Sequence, residues 1–283
     1  MLFKLQFENS RGQKIELYDR PFRLSTVEGL GDVGADIQMQ KAPYQDGSTL
    51  IDTTLESRQM TIELKIHGKD AADTESKRRL FASIFNPKLG IGTLKYIRDN
   101  EVKIINAVAE SVPFFPDGQT NRKDTFQKAL LYLICPSPHW RSPSITEEPA
   151  FEPRFRFPTR GPFIMGIQRD RRVIINDGDA PAPVQVEFFG PALNPKIINQ
   201  TTGEYIKINQ ELLEDERMII DTTDSTVYFI DPAGTKRNVF PWIDLSSTFF
   251  YLQIGENDIE YTADSDIQGT IVNISYSKLY TAI

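Results

Sequence analysis

The chain has 283 residues, of which 40% are hydrophobic and 25% charged, and its net charge is −7. This composition is typical of an ordinary globular protein, and no apolar run approaches the ~20 residues that cross a bilayer. The length favours two domains over one. The first residues, MLFKLQFENS, lack the basic and apolar regions of a signal peptide. We therefore predict a two-domain protein that is made in a cytoplasm.

The N-terminal half is predicted to consist mostly of β-strands with one helix. Strand patterns occur at residues 3–7, 94–97, 102–109 and 126–134. The helix is predicted at residues 72–85, with Asp70 or Asp73 as its N-cap and Asn86-Pro87 at its end. Its buried stripe is predicted to consist of Leu80, Phe81, Ile84 and Phe85.

Residues 42–66 read APYQDGSTLIDTTLESRQMTIELKI. The turn Asp46-Gly47-Ser48 precedes a Thr-rich extended stretch. Apolar and polar residues then alternate from Met60 to Ile66, which predicts a strand with one buried face. Because no residues here are arranged for catalysis, we interpret this segment as scaffold.

The proline-rich segment CPSPHWRSPS, residues 135–144, is the clearest domain boundary. Residues 1–138 carry 19 Lys and Arg against 18 Asp and Glu, a net charge of +1. Residues 139–283 carry 13 against 21, a net charge of −8. We therefore predict domains at 1–138 and 139–283.

The C-terminal half is predicted to be all β. Turn clusters at 176–179, 201–203, 231–234 and 255–258 separate about eight short strands, which argues for a β-sandwich or jelly roll. The strands are predicted at residues 172–175, 184–189, 205–209, 218–221, 227–230, 249–254, 259–262 and 270–276.

No nucleotide-binding motif and no nucleophile elbow occurs, and the glycines between residues 29 and 34 are predicted to lie in a flexible loop. Cys135, the single cysteine, follows the apolar run 129–134 and is predicted to be buried and structural. His67 and His139 lack the spacing of metal ligands and are interpreted as strand-end and boundary residues.

Acidic clusters are interpreted as solvated turns, and no metal, cofactor or catalytic residue is expected. A run on one loop does not supply the paired acids of a glycosidase, and no group matches a calcium-binding EF-hand loop. The residues weighed for these roles are Glu211, Glu214, Asp215 and Glu216 for acid catalysis, and Asp221, Asp224, Asp231, Asp258, Glu260, Asp264 and Asp266 for calcium.

Aromatic residues in the C-terminal half leave an alternative function open. Exposed rings on an acidic sandwich stack on sugars, so Trp242 and Phe249-Phe250 suggest a carbohydrate-binding module. We favour burial of Phe249, Tyr251 and the Trp242 ring in the sandwich core, since that is the commoner outcome. The basic runs at 77–79 and at Arg169, Arg171 and Arg172 are interpreted as solvated and not as nucleic-acid patches.

Several segments together resemble the distal tail protein (Dit) family of long-tailed (siphovirus) bacteriophages and prophages. In the N-terminal half these are Asp46-Gly47-Ser48, Ile51-Asp52, Arg58 and the strand 60–66, and the Cys-Pro-Ser-Pro-His-Trp boundary follows. In the C-terminal half they are NDGDAPAP at 176–183, FFGP at 188–191, NPKI at 194–197, Ile220-Asp221-Thr222 and GEN at 255–257. The resemblance runs from about Phe22 to the end of the sequence.

This resemblance implies a structural protein without enzymatic activity. It implies an N-terminal β domain that forms a hexameric ring, as one ring or two stacked rings, and a galectin-like C-terminal sandwich. The ring would join the major tail protein of the tail tube to a tail-associated lysin, tail fibre or receptor-binding proteins, at the tail tip of the virion. No membrane partner and no nucleic-acid sequence recognition is expected.

We further predict that the ring contacts come mainly from residues 1–138. A ring needs head-to-tail contacts that close on rotation, and the net charge of −8 on residues 139–283 disfavours close packing between copies of that half. Arg58 and Asp52 are predicted to be structural or interface residues.

Overall fold

The computed structural model describes residues 3–147, 151–152, 167–168, 171–264 and 271–283. The chain divides into two compact units: unit 1 is Met1–Pro143 with Tyr280–Ile283, and unit 2 is Ser144–Leu279. The division falls inside the predicted proline-rich boundary. It differs from the predicted limits because residues 139–143 and 280–283 belong to unit 1.

Unit 1 is mostly β, with one α-helix. Its elements in chain order are β1 (Lys4–Glu8), β2 (Lys14–Leu17), β3 (Phe22–Glu28), β4 (Ala35–Gln40), β5 (Thr49–Leu55), β6 (Arg58–His67), α1 (Ala71–Ile84), a 3₁₀ turn (Pro87–Leu89), β7 (Gly92–Arg98), β8 (Glu101–Ala109), β9 (Arg122–Lys123), β10 (Phe126–Cys135) and β11 (Trp140–Arg141).

The main sheet of unit 1 has the strand order β2-β1-β7-β8-β10-β6-β3. Neighbouring strands are antiparallel, and β10 pairs with β6 along its whole length but with β8 at only two positions. Side chains alternate across each strand, so every second residue enters one core. In β6 the inward positions are Arg58, Met60, Ile62, Leu64 and Ile66, which confirms the predicted half-buried strand.

The helix α1 confirms the predicted element and identifies its N-cap. The carboxylate of Asp70 accepts a hydrogen bond from the backbone N–H of Asp73 at 2.8 Å. Phe81, Ile84 and Phe85 are buried, but Leu80 is 47% exposed, so its predicted place in the buried stripe is wrong. The ring centroid of Phe81 lies 5.7 Å from that of Phe22 in β3, so Phe81 faces the sheet. Its neighbour Leu80 therefore points away from the sheet.

Unit 2 contains the remaining strands. These are β12 (Ile145–Glu147), β13 (Phe151–Glu152), β14 (Ile167–Gln168), β15 (Arg171–Asn176), β16 (Ala182–Phe189), β17 (Ala192–Leu193), β18 (Lys196–Asn199), β19 (Glu204–Lys207), β20 (Glu211–Leu212), β21 (Arg217–Asp221), β22 (Thr226–Ile230), β23 (Lys236–Asn238), a 3₁₀ turn (Phe240–Trp242), β24 (Tyr251–Leu252), β25 (Gly255–Thr262), β26 (Ile271–Tyr276) and β27 (Leu279–Tyr280), whose last residue belongs to unit 1.

Unit 2 is a β-sandwich, as the sequence predicts. One sheet has the order β12-β26-β16-β21-β22-β23, with β24 on β16, and the other has the order β15-β25-β18-β19. Their apolar faces share one core, in which Phe188 of β16 lies 5.8 Å, centroid to centroid, from Tyr261 of β25.

Two details of the sandwich differ from the prediction. Residues 255–258 are not a turn but the first half of β25, because Asn257 stabilises a turn that ends earlier: its side chain bonds the backbone N–H and C=O of Gln253 at 2.8 and 2.7 Å. The predicted strand 249–254 therefore shortens to β24. Its inward residues are Phe250 and Leu252, whereas Tyr251 is 40% exposed.

Candidate assembly surface

Strands β4 and β5 form a two-stranded antiparallel hairpin that pairs with no other described strand of unit 1. We call residues 35–55 the arm. Every residue of both strands is exposed. A hairpin without a third strand or a covering helix is marginally stable in water, so the arm is an unusual feature of an otherwise well-packed unit.

The two faces of the arm differ sharply in chemistry. Cross-strand partners Ala35 and Leu55, Ile37 and Thr53, and Met39 and Leu50 share one face, while the alternate pairs Asp36–Thr54, Gln38–Asp52 and Gln40–Thr49 share the other. The shift in register after Gln38 leaves Ile51 as the extra residue of a bulge. The exposed fractions of the apolar side chains are 53% for Ile37, 62% for Met39, 60% for Leu50, 60% for Ile51 and 40% for Leu55.

Arg58 is completely buried directly after the arm. Its guanidinium donates to four backbone carbonyl oxygens: Gly29 at 2.8 Å, Asp32 and Pro138 at 2.9 Å each, and Thr281. Burial lowers the pKa of Arg58 from its ordinary value, because desolvation disfavours the charged form. We call this set of contacts the Arg58 junction, and it joins four stretches of chain that are far apart in sequence.

The Arg58 junction also fixes the base of the arm. Residues 29–34 lead into β4, and two of their carbonyls accept from Arg58. The indole N–H of Trp140 donates to the carbonyl of Leu30 at 3.0 Å. Across the base, the N–H of Glu56 donates to the carbonyl of Gly34 at 2.9 Å. The glycine-rich loop, predicted to be flexible, thus has defined partners on several sides.

Residues 280–283 complete this side of unit 1. Strand β27 pairs with β11, and the ammonium of Lys103 lies 3.3 Å from the ring centroid of Tyr280. Tyr280 and Ile283 pack against the core. The stretch that follows the sandwich is therefore a structural part of unit 1.

Two open clefts lie on the surface of unit 1. The first, about 350 Å³, lies beside α1 and mixes acids with bases, including Lys14, Glu16, Asp19 and Arg20. The second, about 480 Å³, is lined by residues 111–117 with Arg78, Arg122 and Gln127, and we call it the basic groove. Both are candidate contact surfaces.

The residues considered for chemistry in the N-terminal half have structural surroundings. Cys135 is buried, as predicted, with its Sγ 3.8 Å from the sulfur of Met60, and burial raises its pKa to about 11. His67 is the last residue of β6, and burial with nearby arginines lowers its pKa. His139 precedes β11.

The basic residues of α1 make ion pairs on the helix surface. Lys77 pairs with Asp73 at 2.7 Å, while Arg78 and Arg79 both reach Glu75 at 3.4 Å. These are the short-range pairs expected of a solvated helix face.

Most of the described acidic residues weighed as calcium ligands have protein partners, and Asp224 lies in the turn between β21 and β22. Asp258 makes a bidentate pair with Arg171, Glu260 accepts from Gln200 at 2.5 Å, and Asp264 accepts from Asn194 at 2.9 Å. Among the described residues, no three His, Cys, Asp or Glu side chains cluster in a way that could hold a metal. Asp266 and Arg169 lie outside the described residues.

The acidic run at 211–216 consists of β20 and the turn that follows it. The carboxylate of Glu216 accepts from the N–H of Leu213 at 2.8 Å, and Asp215 has a positive φ of 64°. Asp221 closes a neighbouring turn by accepting from the N–H of Thr223, and Asp231 does the same for Thr235, each at 2.8 Å. Side chains that bond their own turns are structural.

The aromatic residues of the sandwich are only partly inside it. Trp242 is half-buried, edge-on to Phe229 with 5.5 Å between the ring centroids, and Arg237 lies over both rings. Phe249 stacks on Phe240 near the surface, while Phe250 is the buried one of the pair. A cleft of about 200 Å³ beside Trp242 also contains Gln210, Glu211 and Glu216.

We did not predict the apolar face of the arm from the sequence, although the pattern that indicates it is present. Ile37 and Met39 alternate with Asp36, Gln38 and Gln40, the same period of two that identified β6. The burial of Arg58 has no such signal, because its four acceptors come from three stretches of chain that are far from Arg58 in sequence.

Comparison with known proteins finds a matching family model for each half of the chain. Residues 10–135 match the model of the phage tail protein RIFT-related domain, and residues 177–280 match that of the siphovirus-type tail component, C-terminal domain. The chain belongs to the siphovirus distal tail protein family. A search of curated proteins gives no match.

Solved structures of phage tail and baseplate proteins share the fold at low sequence identity. The Dit protein (gp 19.1) of phage SPP1, described as a paradigm of the hub adsorption apparatus in phages that infect Gram-positive bacteria, is 12% identical, with a TM-score of 0.71 over 99% of both chains. A chain of the phage P2 baseplate in its activated conformation with calcium is 11% identical, with a TM-score of 0.61 over 100% of both chains. At this identity the likeness concerns the fold.

Proposed function

We propose that the protein is a structural hub of the tail tip, in which six copies form a ring. The observation that carries this proposal is family membership in both halves, together with a fold shared over 99% of both chains with a protein described as part of a hub adsorption apparatus. In this role the ring joins the tube of major tail protein to a tail-associated lysin, fibre or receptor-binding proteins. Its work is assembly, without catalysis.

We propose that unit 1 supplies the ring contacts. The arm supports this assignment, since it presents an apolar face that unit 1 leaves exposed. Contiguous exposed apolar surface of this kind marks interaction sites on soluble proteins. Charge supports it too, because residues 1–138 carry a net charge of +1 and residues 139–283 a net charge of −8.

The carbohydrate-binding alternative has weaker support. The cleft beside Trp242 offers polar groups, but the guanidinium of Arg237 lies 5.2 Å from the Trp242 ring, over the face where a sugar would stack. The half-buried Trp242 also packs against the sandwich core. A sugar would have to displace Arg237 before it could use this ring face.

Light scattering and negative-stain imaging of the purified full chain test the proposal. We expect rings of six copies with a central channel. A monomer that binds sugars, and loses that binding in Trp242→Ala, would replace the hub hypothesis with the carbohydrate-binding one. A monomer at every concentration without sugar binding would refute both.

A further inference from the structure

The arm and the basic groove both combine exposed apolar side chains with a biased charge. We propose that the apolar face of the arm docks into the basic groove of a second copy of the chain. This inference rests on the proposed ring and specifies which surfaces meet in it.

The groove offers apolar surface to receive the arm. Val112 and Phe114 are 56% and 57% exposed, and Pro113 and Pro116 line the groove beside them. The arm presents aliphatic and thioether side chains on its apolar face, led by Ile37, Met39 and Leu50. Association of these two surfaces removes both from water, which is the main driving force of protein–protein contacts.

The groove is held in shape before any partner arrives. Phe114 and Leu130 exchange two backbone hydrogen bonds, of 2.8 and 2.9 Å. The buried side chain of Gln127 donates to the carbonyl of Pro116 at 2.8 Å. Phe115 packs against Phe81 of α1, with Arg78 over its ring. A preformed surface loses little conformational entropy when a partner binds.

Charge favours unit 1 of a second copy over its sandwich. The arm carries three acidic residues and one lysine, a net charge of −2, and the rest of residues 1–138 carries 18 Lys and Arg against 15 Asp and Glu, a net charge of +3. Residues 139–283 carry −8. The acidic arm is therefore attracted to the N-terminal domain and repelled by the C-terminal one.

Charge also distinguishes the two clefts of unit 1. In the cleft beside α1, Lys14 and Arg20 are balanced by Glu16 and Asp19. In the basic groove, Arg78 and Arg122 outnumber Asp117, and since Arg78 also pairs with Glu75, Arg122 supplies most of the positive charge. The groove thus has an apolar floor for the apolar face of the arm. Its positive charge attracts the arm as a whole, because Asp36 and Asp52 lie on the opposite, polar face.

The contact joins different surfaces of the two copies. Such a head-to-tail interface lets each copy be both donor and receiver, and it closes into a ring when the rotation permits. An arm-to-arm contact would instead pair two copies and stop there.

Disulfide trapping tests the contact directly, using the full chain. The variant pair Met39→Cys with Val112→Cys places one thiol on the arm and one in the groove. The native Cys135 is buried with a pKa of about 11, so it stays out of the reaction. Under mild oxidation we expect a covalent ladder that reaches six chains on non-reducing gels.

Two controls make the ladder specific. A mixture of the two single variants should stop at covalent dimers, because each chain then has one reactive thiol. The pair Met39→Cys with Tyr18→Cys, in the other cleft, should give no ladder. A ladder from Tyr18 and none from Val112 would overturn the proposal and assign the arm to the other cleft.

The electron-microscope images separate failure of this contact from failure of the ring. Rings without any Met39–Val112 cross-link would refute the docking and leave the hub function intact. Absence of rings in the unmodified protein, together with absence of cross-links, would refute both.

A matched pair of charge reversals gives an independent readout. Arg122→Glu, in the groove, should raise the concentration needed for ring formation about tenfold, whereas Arg79→Glu, on the solvated face of α1, should change it less than about threefold. Equal effects of the two substitutions would contradict the docking.

Discussion

The two units differ in the completely buried side chain that joins the most distant segments. In the described part of the sandwich this is an amide: Asn176 donates to the carbonyl of Ala180 and to that of Leu252, which is 76 residues away. In unit 1 it is a cation: Arg58 reaches carbonyls 26, 29, 80 and 223 residues away in sequence. An amide has two N–H groups and a guanidinium has five, so only the arginine can bond four carbonyls at once.

Unit 1 therefore holds several distant segments through one completely buried cation, whereas in the sandwich Arg172, which bonds the carbonyls of Glu147 and Val272, is only partly buried. The arm belongs to the unit with the junction, and its base is bonded to Arg58. We therefore expect stability and assembly to be coupled in unit 1, where the proposed ring contacts lie, and separate in unit 2. The following substitutions test that difference.

Arg58→Met should destabilise unit 1 by about 3–5 kcal/mol, because several buried carbonyls lose a charged donor together. Hydrogen exchange followed by mass spectrometry resolves the two units, and we expect faster exchange in β6 and at residues 29–34 with β16 and β25 unchanged. Arg58→Lys is the matched control; it keeps the charge but not the fork of donors, so it should recover only part of the loss. An equal loss of protection from hydrogen exchange in the sandwich would contradict the difference between the two units.

Removal of residues 280–283 should destabilise unit 1 by about 2–4 kcal/mol, through loss of the Tyr280–Lys103 contact and of the buried apolar surface of Ile283. Denaturant unfolding, monitored by hydrogen exchange in each unit, measures the effect. A sandwich that loosens while unit 1 stays intact would contradict the assignment of these residues. The single change Lys103→Met measures how much of this loss of stability comes from the cation–π contact.

Alkaline pH should weaken unit 1 through Cys135. Its pKa is raised from 9.0 to about 11 in the folded protein, so the thiol stays neutral there while the unfolded chain ionises. The contribution of Cys135 to the free energy of unfolding is therefore fully present below pH 9. It is lost between pH 9 and 11, a decrease of about 2–3 kcal/mol. The difference between wild type and Cys135→Ala in pH-dependent unfolding reports this contribution, and identical slopes would exclude it.

Asn257→Ala should cost the sandwich about 1–3 kcal/mol, because the backbone N–H and C=O of Gln253 lose the side-chain partner that shapes this turn. The exposed neighbour Glu256 provides the control substitution Glu256→Ala, with an expected change below about 0.5 kcal/mol. Thermal unfolding with exchange in β25 measures both. The arm and the fraction of rings should stay unchanged, since the effect is confined to a local turn.

Much of the fold was predictable because its signals are local. The alternation in β6, the Asp70 cap of α1 and the Asn-Pro stop each depend on residues a few positions apart. Errors occurred where local patterns allowed two registers. Leu80 and Phe81 are both compatible with a helix stripe, and Phe249 and Phe250 with a strand; only the position of the facing sheet chose the second of each pair.

Local patterns in the sequence were enough to predict the β-rich architecture, the helix, the sandwich and the family, since periodicity, turn residues and recognisable segments each involve residues that are close in sequence. The sequence also contained the two-faced pattern of the arm. Three features became visible in the folded protein alone: β6 is covered while the arm is exposed, Arg58 is buried among four distant carbonyls, and residues 280–283 complete unit 1. The physical reason is that alternation specifies which face is apolar, whereas long-range packing specifies what lies against it.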